Sequence, residues 1–324
     1  MSGRPTVVIL CPKDFKFTDS EATVETPFFP GVADLKTVWF DYNAPFPEEA
    51  VAAHALILWH GPLVTAEIIA RMKNCRAIIR NGVGFDTVDI AAAAKAGIPV
   101  CNVPDYGTEE VADHAIALTL ALYRQLFPLD AEAKRLGWKI TTSHKMRRLS
   151  TQTFGVFGLG RIGTAAALRA KALGFKTVFY DPYVPSGTHK AIGVPRIDTL
   201  EEFLKTCDTI SVHSPLTPET RGIIGAKEIA LMKPGSFLVN TARGDIVQKA
   251  PLFAALHSGH IAGAGLDVVE AEPLRTKEET EVPNLIVTCH AAFCSPEGMV
   301  EMRSSSAKIA RAAVLGQPVW NKVN

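Results

Sequence analysis

Short apolar runs alternate along this chain with stretches in which apolar residues recur every three or four positions. The runs suit strands buried on both faces, and the stretches suit helices laid across them. In the first hundred residues the runs fall at 7–10, 37–40, 55–59, 77–80 and 99–101, with helices predicted over 47–54, 65–72 and 87–96. A second series runs 153–157, 176–180, 209–212, 236–240, 263–268 and 285–288. This alternation predicts two doubly wound α/β units, each a parallel sheet covered by helices. Between the series, Thr108 reads as the N-cap of a helix that continues through Phe127 and stops at Pro128. A last helix is predicted over 295–316; with no strand left to make, it is expected to return to the first unit. That unit is then discontinuous, residues 1–103 with 293–324, and the second unit is 104–292.

The sharpest local signal is Thr153-Phe154-Gly155-Val156-Phe157-Gly158-Leu159-Gly160-Arg161-Ile162-Gly163, a strand, a glycine turn and a helix start in that order. Gly158, Gly160 and Gly163 fall where the turn tightens, where a pyrophosphate approaches the backbone, and where helix meets strand. The free amides at the helix start, around Arg161 and Ile162, and its positive dipole end then face the phosphates. The next strand ends at Asp181, eighteen residues after Gly163. A carboxylate there accepts hydrogen bonds from the adenosine ribose and repels the extra phosphate of NADP, so the expected cofactor is NAD.

The remaining strands of the second series also empty into polar residues: His213-Ser214-Pro215, Thr241-Ala242-Arg243-Gly244, Asp267 and His290. Ligands of an open parallel sheet bind outside the carboxyl ends of its strands, so these residues describe one crevice. Three groups there carry chemistry. Reduction of a ketone by hydride transfer leaves an oxyanion that needs a proton, which His290 can supply. Glu272, bonded to the other ring nitrogen, would orient the imidazole, and Arg243 would hold the carboxylate of a 2-oxo acid and polarise its carbonyl. In the first series, Arg80-Asn81-Gly82-Val83-Gly84-Phe85-Asp86 carries a strand into a glycine loop. Its amides can converge on an anion beside Arg80, or the loop can be a tight turn next to a surface arginine.

Composition narrows the picture. Apolar residues make up 47% of 324 and charged residues 21%, with a formal net charge of +1. A disordered chain is thereby excluded, and nothing global attracts nucleic acid or an anionic membrane. Six Lys/Arg residues between 134 and 148 form a basic stretch, read as a solvated or subunit-facing arm because no binding motif accompanies it. No leader precedes the run at 7–10, and no apolar helix is long enough to cross a bilayer, so a cytoplasmic protein is expected. Cys11, Cys75, Cys101, Cys207, Cys289 and Cys294 lack framework or metal-ligand spacing. They read as reduced thiols, buried or lining the pocket, and no metal is expected.

Taken together, the Arg80 to Asp86 loop, Gly158 to Gly163 with Asp181, Val239-Asn240-Thr241-Ala242-Arg243-Gly244, Leu266-Asp267-Val268 with Glu272-Pro273, and His290-Ala291-Ala292 resemble the D-isomer-specific 2-hydroxyacid dehydrogenase family. Cys101-Asn102-Val103-Pro104, Leu168-Arg169-Ala170-Lys171-Ala172 and Phe179-Tyr180-Asp181-Pro182-Tyr183 are most similar to its C-terminal-binding protein branch, which carries tryptophan where this chain has Phe293. The resemblance implies a Rossmann NAD-binding domain and a flavodoxin-like substrate domain that closes over the ligand. It implies a catalytic set of Arg243, Glu272 and His290, with Asp267 bonding the nicotinamide carboxamide. Arg80 and the amides of Gly82, Val83 and Gly84 would hold the substrate carboxylate. Thr108, His213, Pro215, Thr220, Thr241, Ala242, Arg243 and His290 would line NAD beside the glycine loop and Asp181. The expected activity is interconversion of a small 2-oxo acid and its D-2-hydroxy acid by a homodimer that binds neither nucleic acid nor membrane. The alternative is an NAD-responsive scaffold that binds peptides, disfavoured by the complete trio. Formate oxidation is disfavoured because formate-type members carry glutamine at the position of Glu272.

Overall fold

Thr6–Pro12 forms strand β1, and six of its seven residues are buried, as a central strand covered on both faces must be. It belongs to the computed structural model of the chain, which describes residues 3–13, 19, 21–42, 44–140 and 145–324. Two units divide the chain: Met1–Gly107 with Cys294–Asn324, and Thr108–Phe293.

In the first unit β1 is followed by β2 (Asp34–Phe40), β3 (Ala55–Leu58), β4 (Ile78–Arg80) and β5 (Val100–Cys101). All pair in parallel in the order β2-β1-β3-β4-β5, the flavodoxin-like arrangement. The helix predicted over 47–54 is confined to Glu48–Val51. The one predicted over 87–96 is confined to Ile90–Lys95, because the Asp89 carboxylate accepts from the Ala92 amide at 2.9 Å and so defines its start. The last helix, Pro296–Val314, is capped by Ser295 and packs on β3 and β4. Its buried Arg303 meets the buried Glu25 carboxylate through two bonds, of 2.8 and 2.7 Å, which leaves neither charge unpaired in the core.

The second unit holds β6 (Thr153–Phe157), β7 (Lys176–Tyr180), β8 (Thr209–Val212), β9 (Ser236–Asn240), β10 (Ile261–Leu266) and β11 (Leu285–Val287). Their order is β11-β10-β9-β8-β6-β7, and a single parallel bridge from Phe179 to Arg196 extends the β7 edge. This is a Rossmann sheet whose third strand is reduced to one bridge, with its order reversing between β6 and β8. Successive residues of β9 serve opposite faces: Phe237 and Val239 join one apolar cluster and Leu238 the other.

The helix predicted from Thr108 to Phe127 differs from expectation at both ends. It spans Thr108–Arg124 and breaks at Gln125, which takes a left-handed conformation at φ 53°. Pro128 stops nothing: it is the third residue of the next helix, Leu126–Lys134, where the amide it lacks would have no intrahelical acceptor. Thr108 is not a side-chain cap, since it lies inside the helix and its buried hydroxyl has no hydrogen-bond partner among the described residues. Of the basic stretch, 141–144 lie outside the described residues; before them Leu136, Trp138 and Ile140 are 97%, 92% and 72% exposed. Among the described residues no helix is long and apolar enough to cross a membrane.

Candidate active site

Register builds the site in the second unit. Phe157 pairs with Val212, Val212 with Asn240, Asn240 with Leu266, and Leu266 with Val287. Five strands therefore end level, and the residues that follow them, Gly158, His213, Thr241, Asp267 and Thr288, stand in one row. Asp181 joins it after Tyr180, which pairs with Phe157.

At the switch point, Gly158 has φ 94°, and a Cβ on it would lie 2.7 Å from the Ser214 amide nitrogen. A Cβ on Gly163 would meet the Gly158 carbonyl oxygen at 2.0 Å, so helix and turn touch through bare backbone. Gly160 differs, for a Cβ there meets nothing within 4 Å. The helix Arg161–Ala172 starts at Gly160 without a side-chain cap, which leaves the first amides, including those of Arg161 and Ile162, without intrahelical acceptors. Across the turn, the Asp181 carboxylate accepts from the amides of Leu159 and Tyr183, both at 2.8 Å, and is held at a fixed angle.

Along the row, Nδ1 of His213 and the hydroxyls of Ser214 and Thr241 are buried without partners among the described residues, as is the hydroxyl of Thr108 at the start of the helix Thr108–Arg124. Nε2 of His213 meets Ser211 Oγ at 2.8 Å, and burial pushes the imidazole down to a pKa of about 4, so the ring is neutral at physiological pH. The Thr220 hydroxyl donates to the Pro215 carbonyl at 2.7 Å and closes the loop after β8. Buried Asn240 shapes the next turn: its carbonyl oxygen accepts from the Ala242 amide and its amide donates to the Arg243 carbonyl. The Arg243 guanidinium donates to the Ala242 carbonyl at 2.8 Å. A Cβ on Gly244 would lie 2.0 Å from the Val269 carbonyl oxygen, so only glycine lets this turn reach the 269–272 segment.

His290 has φ 54°, a costly backbone for a residue with a side chain. Its amide donates to the Asp267 carbonyl at 2.9 Å, and the next two amides, of Ala291 and Ala292, donate to the two Asp267 carboxylate oxygens at 2.9 Å each. One buried carboxylate thus fixes the histidine loop. Nδ1 of His290 lies 3.1 Å from Glu272 Oε2, and the Phe293 ring stands edge-on to the imidazole with centroids 6.3 Å apart.

In the first unit, Arg80 is buried beside His60, and its Nη1 lies 2.7 Å from where a Cβ on Gly82 would be. Gly82 has φ 145°, a conformation that only glycine adopts without strain. Asn102 donates to the Val83 carbonyl at 2.7 Å, and Ser306 donates to Asn81 at 2.7 Å, so both flanks of the loop are tied down. The amides of Val83 and Gly84 donate to no acceptor among the described residues. Two such amides beside a guanidinium have the form of an anion-binding nest.

Open space over Gly160, a carboxylate held in place at Asp181 and buried hydroxyls without partners among the described residues are features that a dinucleotide site needs. The second unit is of the Rossmann nucleotide-binding type. The chain belongs to the D-isomer-specific 2-hydroxyacid dehydrogenase family, whose NAD-binding-domain model matches residues 116–292. NAD is accordingly its cofactor. The chain is 37% identical over 277 residues to D-3-phosphoglycerate dehydrogenase of Methanocaldococcus jannaschii, covering 86% of this chain and 53% of that protein. It is 33% identical to C-terminal-binding protein 1 of Caenorhabditis elegans, covering 98% of this chain and 44% of that one. The chain thus spans about half the length of these curated relatives. The structure of D-lactate dehydrogenase from Aquifex aeolicus, complexed with NAD and lactic acid, superposes with a TM-score of 0.84 at 30% identity, over 95% of this chain and 96% of that one.

Asn240, Thr288 and His114 were not singled out as functional by the sequence. Asn240 stood in plain view in the Asn-Thr-Ala-Arg-Gly string, where an Asn at a strand end signals a turn built on its side chain. Thr288 and His114 carry no such local signal, because their partners are remote in the chain.

Proposed function

We propose that the protein reduces a small 2-oxo acid to the D-2-hydroxy acid with NADH and catalyses the reverse oxidation with NAD. The observation that carries this reading is the His290–Glu272 pair, whose two members lie in the segments that follow β11 and β10, two of the strands that end level with the glycine turn. Bound NADH supplies the hydride. His290 delivers a proton to the carbonyl oxygen as the alkoxide forms and takes it back in oxidation. Glu272 accepts from Nδ1 and orients the ring. Arg243 engages the carboxylate and polarises the carbonyl, while Arg80 with the Val83 and Gly84 amides provides the second anchor for that carboxylate; the Gly82 amide, expected to join them, donates instead to the Arg80 carbonyl at 2.9 Å. Thr108, His213, Pro215, Thr220, Thr241 and Ala242 line the cofactor, and an Asp267 carboxylate oxygen receives the nicotinamide carboxamide. Met1–Gly107 with Cys294–Asn324 serves as the substrate domain and Thr108–Phe293 as the NAD-binding domain. A homodimer joined through the exposed Leu136, Trp138 and Ile140 of the nucleotide unit, working in the cytoplasm, fits six free thiols and an apolar surface strip.

The test is NADH oxidation over glyoxylate, hydroxypyruvate, pyruvate and bulkier aryl or thioether 2-oxo acids, with the product's hand determined. Turnover on at least one, giving the D isomer, is expected. A protein that binds NADH tightly yet turns over none of them is not this enzyme.

A further inference from the structure

The Asp267 carboxylate that holds the histidine loop is itself held from behind. Thr288 Oγ1 lies 2.5 Å from Asp267 Oδ1, and His114 Nε2 lies 3.0 Å from the same hydroxyl and 3.8 Å from Oδ1. An ionised carboxylate only accepts, so the one Thr288 proton points at Asp267. The hydroxyl must then accept from the imidazole, and His114 must carry its proton on Nε2. The chain of donation runs His114 Nε2–H to Thr288 O–H to Asp267, whose two oxygens also take the Ala291 and Ala292 amides. It spans three elements: the helix Thr108–Arg124, the end of β10, and the segment after β11. Asp267 is 2% exposed, so each donor it loses leaves a buried lone pair without compensation.

We infer that His114 and Thr288 are positioning residues for the reaction: they orient the Asp267 carboxylate, which fixes the left-handed backbone at His290 and so aims the imidazole. Neither residue touches the reacting atoms. The inference rests on the proposed role of His290 and deepens it by assigning the residues that hold that proton donor in place.

Two measurements test it. In the wild-type protein without substrate, ¹⁵N imidazole NMR should find neutral His114 as the Nε2–H tautomer; the Nδ1–H tautomer overturns the relay. In steady-state kinetics, His114→Leu and Thr288→Val should each lower kcat by about 5- to 30-fold, with KM for the 2-oxo acid within about 2-fold. His114→Gln keeps an N–H at the Nε2 position and should recover most of that loss. The Leu/Val double variant should be no slower than the worse single one, because either change breaks the same chain. An unaffected kcat, a Gln variant as slow as the Leu variant, or multiplicative losses would each overturn the inference. A wild-type protein with no turnover on any 2-oxo acid would defeat the proposed function instead, while the tautomer still judges the relay.

Discussion

Nδ1 of His290 lies 3.1 Å from Glu272 Oε2, eighteen residues earlier in the chain. The proposed proton transfer to a substrate oxygen uses the other ring nitrogen, Nε2. His290→Asn should therefore lower kcat by roughly two to four orders of magnitude and leave the NAD dissociation constant within about 2-fold. Glu272→Gln keeps an acceptor for Nδ1 but removes the charge, and a smaller loss, about 10- to 100-fold, is expected. Stopped-flow kinetics with cofactor titrations separates the two effects. If Gln is as damaging as loss of the imidazole, the carboxylate does more than orient and polarise.

The three glycines of the turn separate folding from binding. Gly163→Ala forces a methyl against the Gly158 carbonyl oxygen at 2.0 Å and should cost on the order of 2–4 kcal/mol in denaturant unfolding. Gly160→Ala meets nothing in the protein, so unfolding should stay within about 0.5 kcal/mol of wild type while NAD affinity falls at least about 10-fold. Equal destabilisation by the two substitutions would argue that the Gly160 space serves packing and not a phosphate.

Asp181 is expected to set the choice of nucleotide. Its carboxylate is locked by the Leu159 and Tyr183 amides and cannot swing from a 2′-phosphate. Isothermal titration should find NADP bound about 100-fold or more weakly than NAD, and Asp181→Ala should narrow the gap. Comparable affinities in the wild type would remove Asp181 from that role.

His213 gives stability a pH dependence of definite sign. Its imidazole titrates near 6.5 when exposed and is pushed down to about 4 by burial in the fold. Between those values the unfolded chain binds a proton that the folded chain refuses. The His213 contribution is therefore fully present above about pH 6.5 and is lost as pH falls towards 4, by on the order of 2–3 kcal/mol. Urea midpoints at pH 7.5, 5.5 and 4.5 should show this slope in the wild type and a shallower one in His213→Gln. Parallel slopes would mean that other groups dominate acid unfolding.

Much of the site was legible along the chain. Strand β6, the three glycines and Asp181 form a contiguous sequence, and each local preference points to the same strand-turn-helix unit. The helix after Thr108 was less so. Pro128 looked like its terminus, yet a proline is as acceptable in the first turn of a following helix, and nothing in the sequence marked Gln125 as the left-handed residue.

The sequence by itself determined the two parallel sheets, the glycine turn and the kinds of side chain delivered to the strand ends, because periodicity and turn chemistry act over a few neighbouring residues. Only the tertiary structure decided which of those side chains meet. That Asp267 takes the amides of Ala291 and Ala292, that Thr288 and His114 stand behind it, and that Gly244 lies against Val269 follow from strand register and helix packing. Hydrogen bonds end within about 3.5 Å whatever the distance along the chain, so these partners become fixed only once the sheet has brought them level.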